Sequence, residues 1–280
     1  MRETVRRMLA EASWPILALS EGRRGEPRVA VVMYHSVGGG AAMSFSPSVF
    51  ARHLDALQKA SSCFATVGEL ALSNAVRDWT ICLTFDDGFA DNHSVVLPML
   101  ADRQIRATFF VCSGFVDRRV NISSRFVSYR GLSAMSWTQV RELAAAGMEI
   151  GCHTLTHPVL AALTTEDQER EMAGAKHEIE SQIGNAVVSF AIPFGQRGTY
   201  TIETLGIAAR HFKACCTTRF STNAARLNRY RGMAVLDRVE PRPMHSERHV
   251  TAQVHGRWDS LRWIQRRFRR TRFSERGDKN

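Results

Sequence analysis

Apolar residues fall along this chain in two alternating patterns. Short, nearly unbroken apolar runs read as buried strands: "RVAVVMYH" (28–35), "WTICLTF" (79–85), "RATFFVCS" (106–113), "MEIGCH" (148–153), "AVVSFAIPFG" (186–195), "KACCTT" (213–218) and "GMAVLDRV" (232–239). Between them lie segments whose apolar positions recur three and four apart. "SPSVFARHLDALQKA" (46–60) opens on Ser46 as an N-cap with Pro47 in the first turn, and Phe50, Leu54 and Leu57 share one face. "VVLPMLADRQI" (95–105) has a helical period, and "SWTQVRELAAAG" (136–147) runs from a Ser cap to Gly147. The polar "TTEDQEREMAGAKHEIESQIG" (164–184) carries acids in its first turn and Gly184 at its close, and "YTIETLGIAARH" (200–211) completes the set. Strands alternating with crossover helices predict an α/β fold, a distorted (β/α) barrel of about seven parallel strands.

Functional groups of such barrels gather at the C-terminal ends of the strands. Read in order, those ends carry His35, then Asp86-Asp87, then His153 and His157, then Pro193-Phe194-Gly195, and last Asp237-Arg238. One polar group after another falls on the same face. The intervening aromatic pair Phe109-Phe110 reads as strand core, Trp137 as a packing residue and His93 as part of a loop.

Composition alters this picture little. With 280 residues, 44% hydrophobic and 23% charged, the chain has ordinary soluble globular make-up. No apolar run reaches the roughly 20 residues of a membrane span. The six cysteines show no paired CxxC spacing and read as reduced thiols; Cys152, beside His153, belongs to the opposite face of its strand. Residues 1–28 read as a helical leader without a secretory signal, which places the protein in the cytoplasm, and residues 29–240 as the one chemistry-bearing domain.

Charge changes the reading of the C-terminus. The net +10 is uneven, since residues 255–280 hold nine Arg or Lys against three acids. Residues 241–280 form a basic tail, and within 257–273 Trp258, Leu261, Ile264 and Phe268 fall on one helical face. A basic amphipathic helix suits peripheral contact with the inner membrane surface, or docking of its apolar face on the barrel. No nucleic-acid-binding motif accompanies the charge.

The pair in "LTFDDG" (83–88) poses a chemical question, because adjacent carboxylates at a strand end repel each other unless something positive faces them. The two histidines of "HTLTHP" (153–158), at i and i+4, can converge on one ion when the chain between them makes a turn. Two imidazoles and one carboxylate form a three-ligand divalent site with positions left open, as metal-assisted hydrolysis requires. The other carboxylate can stay ionised beside it and take a proton. Such a ligand set suits Zn²⁺ first and Co²⁺, Ni²⁺ or Fe²⁺ as well.

"TFDDG", "HTLTHP" and "FAIPFG", in this order, resemble the polysaccharide deacetylase family, the NodB-homology domain of carbohydrate esterase family four. "MYHSV", "RATFFV", "MSWTQVRELAAAGMEIGCHTLTHP" and "LDRVEP" extend the resemblance from about Val29 to Glu240. It implies a NodB-like barrel and metal-dependent removal of acetyl groups from sugars of a bacterial polysaccharide or envelope-glycan precursor, with an N-acetylated glycan or glycolipid as substrate. By the same resemblance Asp86 is the general base, and Asp87, His153 and His157 are the metal ligands. A backbone N–H at Pro193-Phe194-Gly195 is the oxyanion donor.

Two departures stand out. Where relatives carry an arginine that pairs with the base, this chain has Ala191; Arg238 and Arg197 are the candidates to replace it. The relatives' Leu-x-His segment, which supplies a general acid, has no clean counterpart. His35 is the first candidate for that role, with His245, His249 and His255 as alternatives in the tail. These departures keep two other readings open: a catalytically silent metal- and glycan-binding protein, and a carbohydrate O-acetyl esterase.

Overall fold

The computed structural model describes residues 28–73, 76 and 78–257. Nearly all of the expected leader, and the amphipathic segment from residue 258 onward, lie outside the described residues. All seven expected strands form: β1 (Arg28–Tyr34), β2 (Thr80–Phe85), β3 (Thr108–Val111), β4 (Glu149–Cys152), β5 (Ser189–Ala191), β6 (Ala214–Thr217) and β7 (Met233–Val239). Each pairs in parallel with its neighbours in chain order, and β7 returns to β1, so the sheet closes into a barrel of seven parallel strands. Short additions at Cys63–Phe64, Asn223–Ala224 and Arg229–Tyr230 pair with β2, β1 and β7. The fifth strand is shorter than its apolar run. Pro193 cannot donate to a ladder and Phe194 takes a positive φ of 62°, so pairing stops at Ala191.

Strand alternation divides the core. Ala30, Val32, Leu83, Phe85, Phe109, Ile150, Phe190 and Cys215 pack outward against the helices. Val29, Val31, Cys82, Phe110, Ala191, Ala214, Cys216 and Leu236 fill the interior. Most of the interior set is small, which makes room for two large groups, the Phe110 ring and the Arg238 guanidinium lying 5.6 Å from its centre. Gly151 completes this fit: a Cβ there would lie 2.5 Å from Phe110 Cδ1.

The helices follow from their caps. Helix α1 (Pro47–Ala60) begins at Ser46, whose side chain accepts from Val49 N–H. A helix absent from the expected set, α2 (Val67–Leu72), closes the barrel floor. Its signal is the Thr66-x-x-Glu69 capping box. Its first N–H groups donate into the barrel, Val67 to Thr108 Oγ1 at 2.9 Å and Gly68 to Glu149 Oε2 at 2.8 Å. Helix α3 (Trp137–Ala145) starts from a capping box at Ser136. The polar helix expected over 164–184 is interrupted: Thr165–Glu169 leads into a π-helical turn, Arg170–Gly174, before α4 (Ala175–Ile183) ends at Gly184 with φ 72°. Helix α5 (Ile202–His211) precedes β6. The segment expected at 95–105 begins earlier and ends sooner, as Asn92–Val96 followed by Leu97–Ala101.

The first part of the expected tail is not a solvated appendage. Helix α6 (Glu247–Val254) packs on α1, with Arg52 Nε 2.6 Å from Glu247 Oε1 and His249 fully buried. His245 and His249 stack at 5.3 Å, the His245 carbonyl lies 3.0 Å from His53 Nε2, and His255 rests against Trp79. These histidines therefore serve packing.

Two outcomes are expected from this core. Gly151→Ala should cost about 1–3 kcal/mol through the forced clash with Phe110, read as a lower urea midpoint. Burial, then the neighbouring charges of His249, His53 and Arg242, lower the His245 pKa to about 4. The unfolded chain takes up this proton near 6.5 and the folded chain does not. The His245 contribution to stability should therefore be level above about pH 7 and fall by about 3 kcal/mol as pH drops to 4, and His245→Gln should flatten that part of the fall in urea titrations.

Candidate active site

The interior face of the barrel delivers Asp86, His153 and Arg238 to one end, because each continues the inward parity of its strand. Asp86 and Arg238 are 2% and 1% exposed. The guanidinium grips the carboxylate with both arms, Nη1 to Oδ1 at 2.7 Å and Nη2 to Oδ2 at 2.8 Å. Arg238 also donates to Thr84 Oγ1 and to the Thr217 carbonyl, which fixes the plane of the fork. Burial opposes charge on Asp86, yet the Arg238 charge and hydrogen bonds, aided by His153 and His35, outweigh it and hold the carboxyl below its usual range. The pairing arginine missing at position 191 is thus supplied by Arg238 from β7. Arg197 is exposed and takes no part.

Asp87, His153 and His157 converge beside this pair. Asp87 Oδ1 lies 3.5 Å from His153 Nε2 and 3.4 Å from His157 Nε2. The backbone is bent to achieve this, with positive φ at Asp87 (75°), Thr154 (67°) and His157 (57°). Non-glycine residues rarely adopt such angles, at a cost on the order of 1–3 kcal/mol each, and cluster where function demands the geometry. His153 Nδ1 lies 2.8 Å from the Ala191 carbonyl and donates to it, which leaves the Nε2 lone pair facing Asp87.

These three residues fit a divalent ion. Asp87 Oδ1 is buried and has no hydrogen-bond partner among the described residues. Donors about 2.0–2.2 Å from a tetrahedral ion stand roughly 3.3–3.5 Å apart, close to the separations here. Burial opposes charge on Asp87, yet the facing imidazoles of His153 and His157, with His35 beyond them, outweigh it and leave the carboxyl well below its usual range. Burial dominates at His157 and lowers its pKa to about 4, so the ring is neutral, as a ligand must be.

A cavity of about 200 Å³ opens above the centre, lined by Met33, His35, both aspartates, both histidines and an aromatic wall of Phe126, Tyr129 and Phe194. His35 is half-buried and stacks on Tyr129 at 5.4 Å. Its carbonyl accepts from Asn92 Nδ2 at 2.8 Å, and Ser36 donates to Asp91. His245, His249 and His255 do not line this cavity. Phe194 and Gly195 turn with φ of 62° and 58°, pressed against Thr218, whose hydroxyl donates to the Phe194 carbonyl at 2.5 Å. The Phe194 N–H has no acceptor among the described residues.

Phe126, Tyr129, Gln196 and Arg242 reach the cavity from segments without a motif, while Thr218, at the end of "KACCTT", and Glu240, within "LDRVEP", lay in quoted stretches that did not single them out. Asn92 follows the aspartate pair closely and was legible only as part of that stretch. His93, one residue on, lies in the helical turn Asn92–Val96 and not in the expected loop, and it pairs with Glu142 at 2.6 Å, away from the site.

Residues 73–210 match the family model described as polysaccharide deacetylase. YxkH of Bacillus subtilis (strain 168), provisionally designated a polysaccharide deacetylase, is 25% identical over 220 residues, covering 77% of this chain and 72% of that protein. The chitooligosaccharide deacetylase of Sinorhizobium fredii (strain NBRC 101917 / NGR234) is 30% identical over 141 residues. That alignment covers 48% of this chain and 56% of the relative, so the likeness spans about half of each. Among solved structures, the Streptococcus pyogenes deacetylase PplD in complex with acetate superposes with a TM-score of 0.66 at 22% identity, covering 82% of this chain and 99% of that one. At that identity the likeness is one of fold.

Removing one member of the buried pair exposes its cost. Arg238→Met should lower stability by about 3–5 kcal/mol, because the Asp86 charge is left buried and alone. The double variant Asp86→Asn/Arg238→Met should regain much of the loss in urea denaturation. Equal stability of single variant and wild type would contradict the pairing.

Proposed function

The chain belongs to the polysaccharide deacetylase family, and from that premise we propose that it is a metal-dependent hydrolase removing acetyl groups from N-acetylated sugars of a bacterial polysaccharide or envelope-glycan precursor. One observation carries the reading: the Asp87–His153–His157 cluster lies beside an arginine-clamped carboxylate in a single cavity. The clamped pair favours a working site over a silent binder, because it restores the partner that position 191 lacks.

A divalent ion held by Asp87, His153 and His157, with Zn²⁺ expected and Co²⁺, Ni²⁺ or Fe²⁺ able to replace it, would polarise the acetyl carbonyl and acidify a water molecule. The remaining chemistry falls to the chain itself. Asp86, kept ionised by Arg238, takes the proton of the attacking water. The Phe194 N–H, in the turn that lines the cavity, donates to the oxygen on which negative charge develops. His35, on the cavity wall, gives a proton to the departing amine nitrogen as the carbon–nitrogen bond breaks. Acetate and a free amino sugar are the products. The aromatic wall of Phe126, Tyr129 and Phe194 offers faces for a sugar ring.

The substrate is a glycan or glycolipid, and the protein acts in the cytoplasm, at the inner membrane surface if the basic tail attaches there. No helix among the described residues is long and apolar enough to cross a membrane.

Metal content and acetate release test this together. Wild type should hold a divalent ion and release acetate from N-acetylglucosamine oligomers or an acetylated glycolipid panel. Asp87→Ala/His153→Ala should lose the ion. Asp86→Asn should keep it while acetate release falls about 10²–10⁴-fold. A metal-loaded wild type that releases no acetate from any member, or an Asp86→Asn variant as fast as wild type, would sink the reading.

A further inference from the structure

The turn that carries both histidines closes on itself only through the Thr154 hydroxyl, which accepts from His157 N–H at 3.0 Å and donates to the His153 carbonyl. Among the described residues no backbone-to-backbone hydrogen bond runs within 153–157, and the neighbouring elements supply the partners of the Leu155 and Thr156 amides and of the Thr154, Leu155 and Thr156 carbonyls. On one side Ser113 N–H and Gly114 N–H donate to the Thr154 and Leu155 carbonyls at 3.3 and 2.9 Å, and Arg125 Nη1 donates to the Thr156 carbonyl at 2.7 Å. The approach is close enough that a Cβ on Gly114 would lie 2.3 Å from the Leu155 oxygen. On the other side stands one carboxylate. Glu171 Oε2 accepts from both Leu155 N–H and Thr156 N–H at 2.9 Å, and its Oε1 accepts from the Thr156 hydroxyl at 2.6 Å.

We infer that Glu171 is a positioning residue for the metal centre, setting the spacing of His153 and His157 by clamping the two amides between them; this rests on the metal reading proposed above. Three observations converge on it. Both amides lie between residues of left-handed backbone, Thr154 and His157, so local preference opposes the turn, and the Thr154 hydroxyl leaves these two amides for an outside partner to hold. Glu171 lies in the π-helical turn Arg170–Gly174, a feature frequent at functional sites. Gly174, at the end of that turn, leaves room for Leu155, whose Cδ1 would lie 3.1 Å from a Cβ at that position. A carboxylate binding two consecutive N–H groups and a hydroxyl fixes position and orientation at once, which a single hydrogen bond does not.

Zinc and cobalt affinities, measured by chelator competition on the purified full chain, test this without reference to activity. Glu171→Ala and Glu171→Gln should weaken binding by about 10- to 100-fold, the range seen when groups that orient metal ligands are removed. The visible absorption bands of the Co²⁺-loaded variants should shift as the histidines move. Glu178→Ala, on the same helical segment and paired with Arg119, serves as control and should match wild type. A purely structural role for Glu171 would lower the melting temperature and leave affinity and Co²⁺ spectrum unchanged, which would overturn the inference. Should Glu171→Ala fail to fold, Glu171→Gln, with one acceptor oxygen kept, decides the matter. A wild type that takes up neither ion would overturn the metal reading itself, and the inference with it. A wild type that binds tightly beside variants that bind equally well would overturn the inference alone.

Discussion

The bidentate contact between Arg238 and Asp86 is the constraint on which the rest of the site depends. Each group lies inside the barrel, where an isolated charge costs several kcal/mol, so neither could occupy its place without the other. The pair joins β2 to β7, the two strands that flank β1, and so ties barrel closure to the ionised state of one carboxylate. The small interior side chains serve the same end. Alanine, cysteine and glycine around Phe110 leave the volume that a guanidinium needs.

Around this pair the backbone is held in conformations that residues choose rarely. Asp87, Thr154, His157 and Phe194 all take positive φ, and all four meet at the cavity or support it. Such strain persists only where surrounding contacts over-determine it. The Ala191 carbonyl orients one imidazole, Glu171 and the Ser113–Gly114 amides hold the turn between His153 and His157, and Thr218 secures the turn at Phe194. The helices therefore act on the chemistry at one remove, by supplying the partners that strained loops cannot supply for themselves. The same logic extends to the approach to α6: His53 bridges the Tyr34 hydroxyl and the His245 carbonyl, and His245 Nδ1 accepts from Arg242 N–H, which holds the segment that bears Arg242 at the cavity wall.

The strands were legible because burial on both faces leaves an apolar run that local reading detects. Seven runs became seven strands, and their polar ends came together as expected. Less was legible where the chain departs from regular structure. Helix α2 was announced by Thr66 and Glu69 but is too short to show a helical period. The π-helical turn at Arg170–Gly174 leaves no periodic trace, and among the many acids of that segment nothing marks Glu171. The cavity wall came from loops, where neither period nor propensity constrains which side chain faces the site.

The chain by itself determined the order of strands and helices, the inward parity of Asp86, His153 and Arg238, and the pairing of carboxylates in "DD" and of imidazoles in "HTLTH", because each of these rests on residues a few positions apart. Only the tertiary structure decided that Arg238, and not Arg197, faces Asp86, that His35 shares their cavity while the three later histidines do not, and that Glu171 holds the ligand turn. Those relations join residues as much as 152 positions apart. They exist only once the sheet has closed on itself, because closure sets which strand ends become neighbours, and no local preference carries that information.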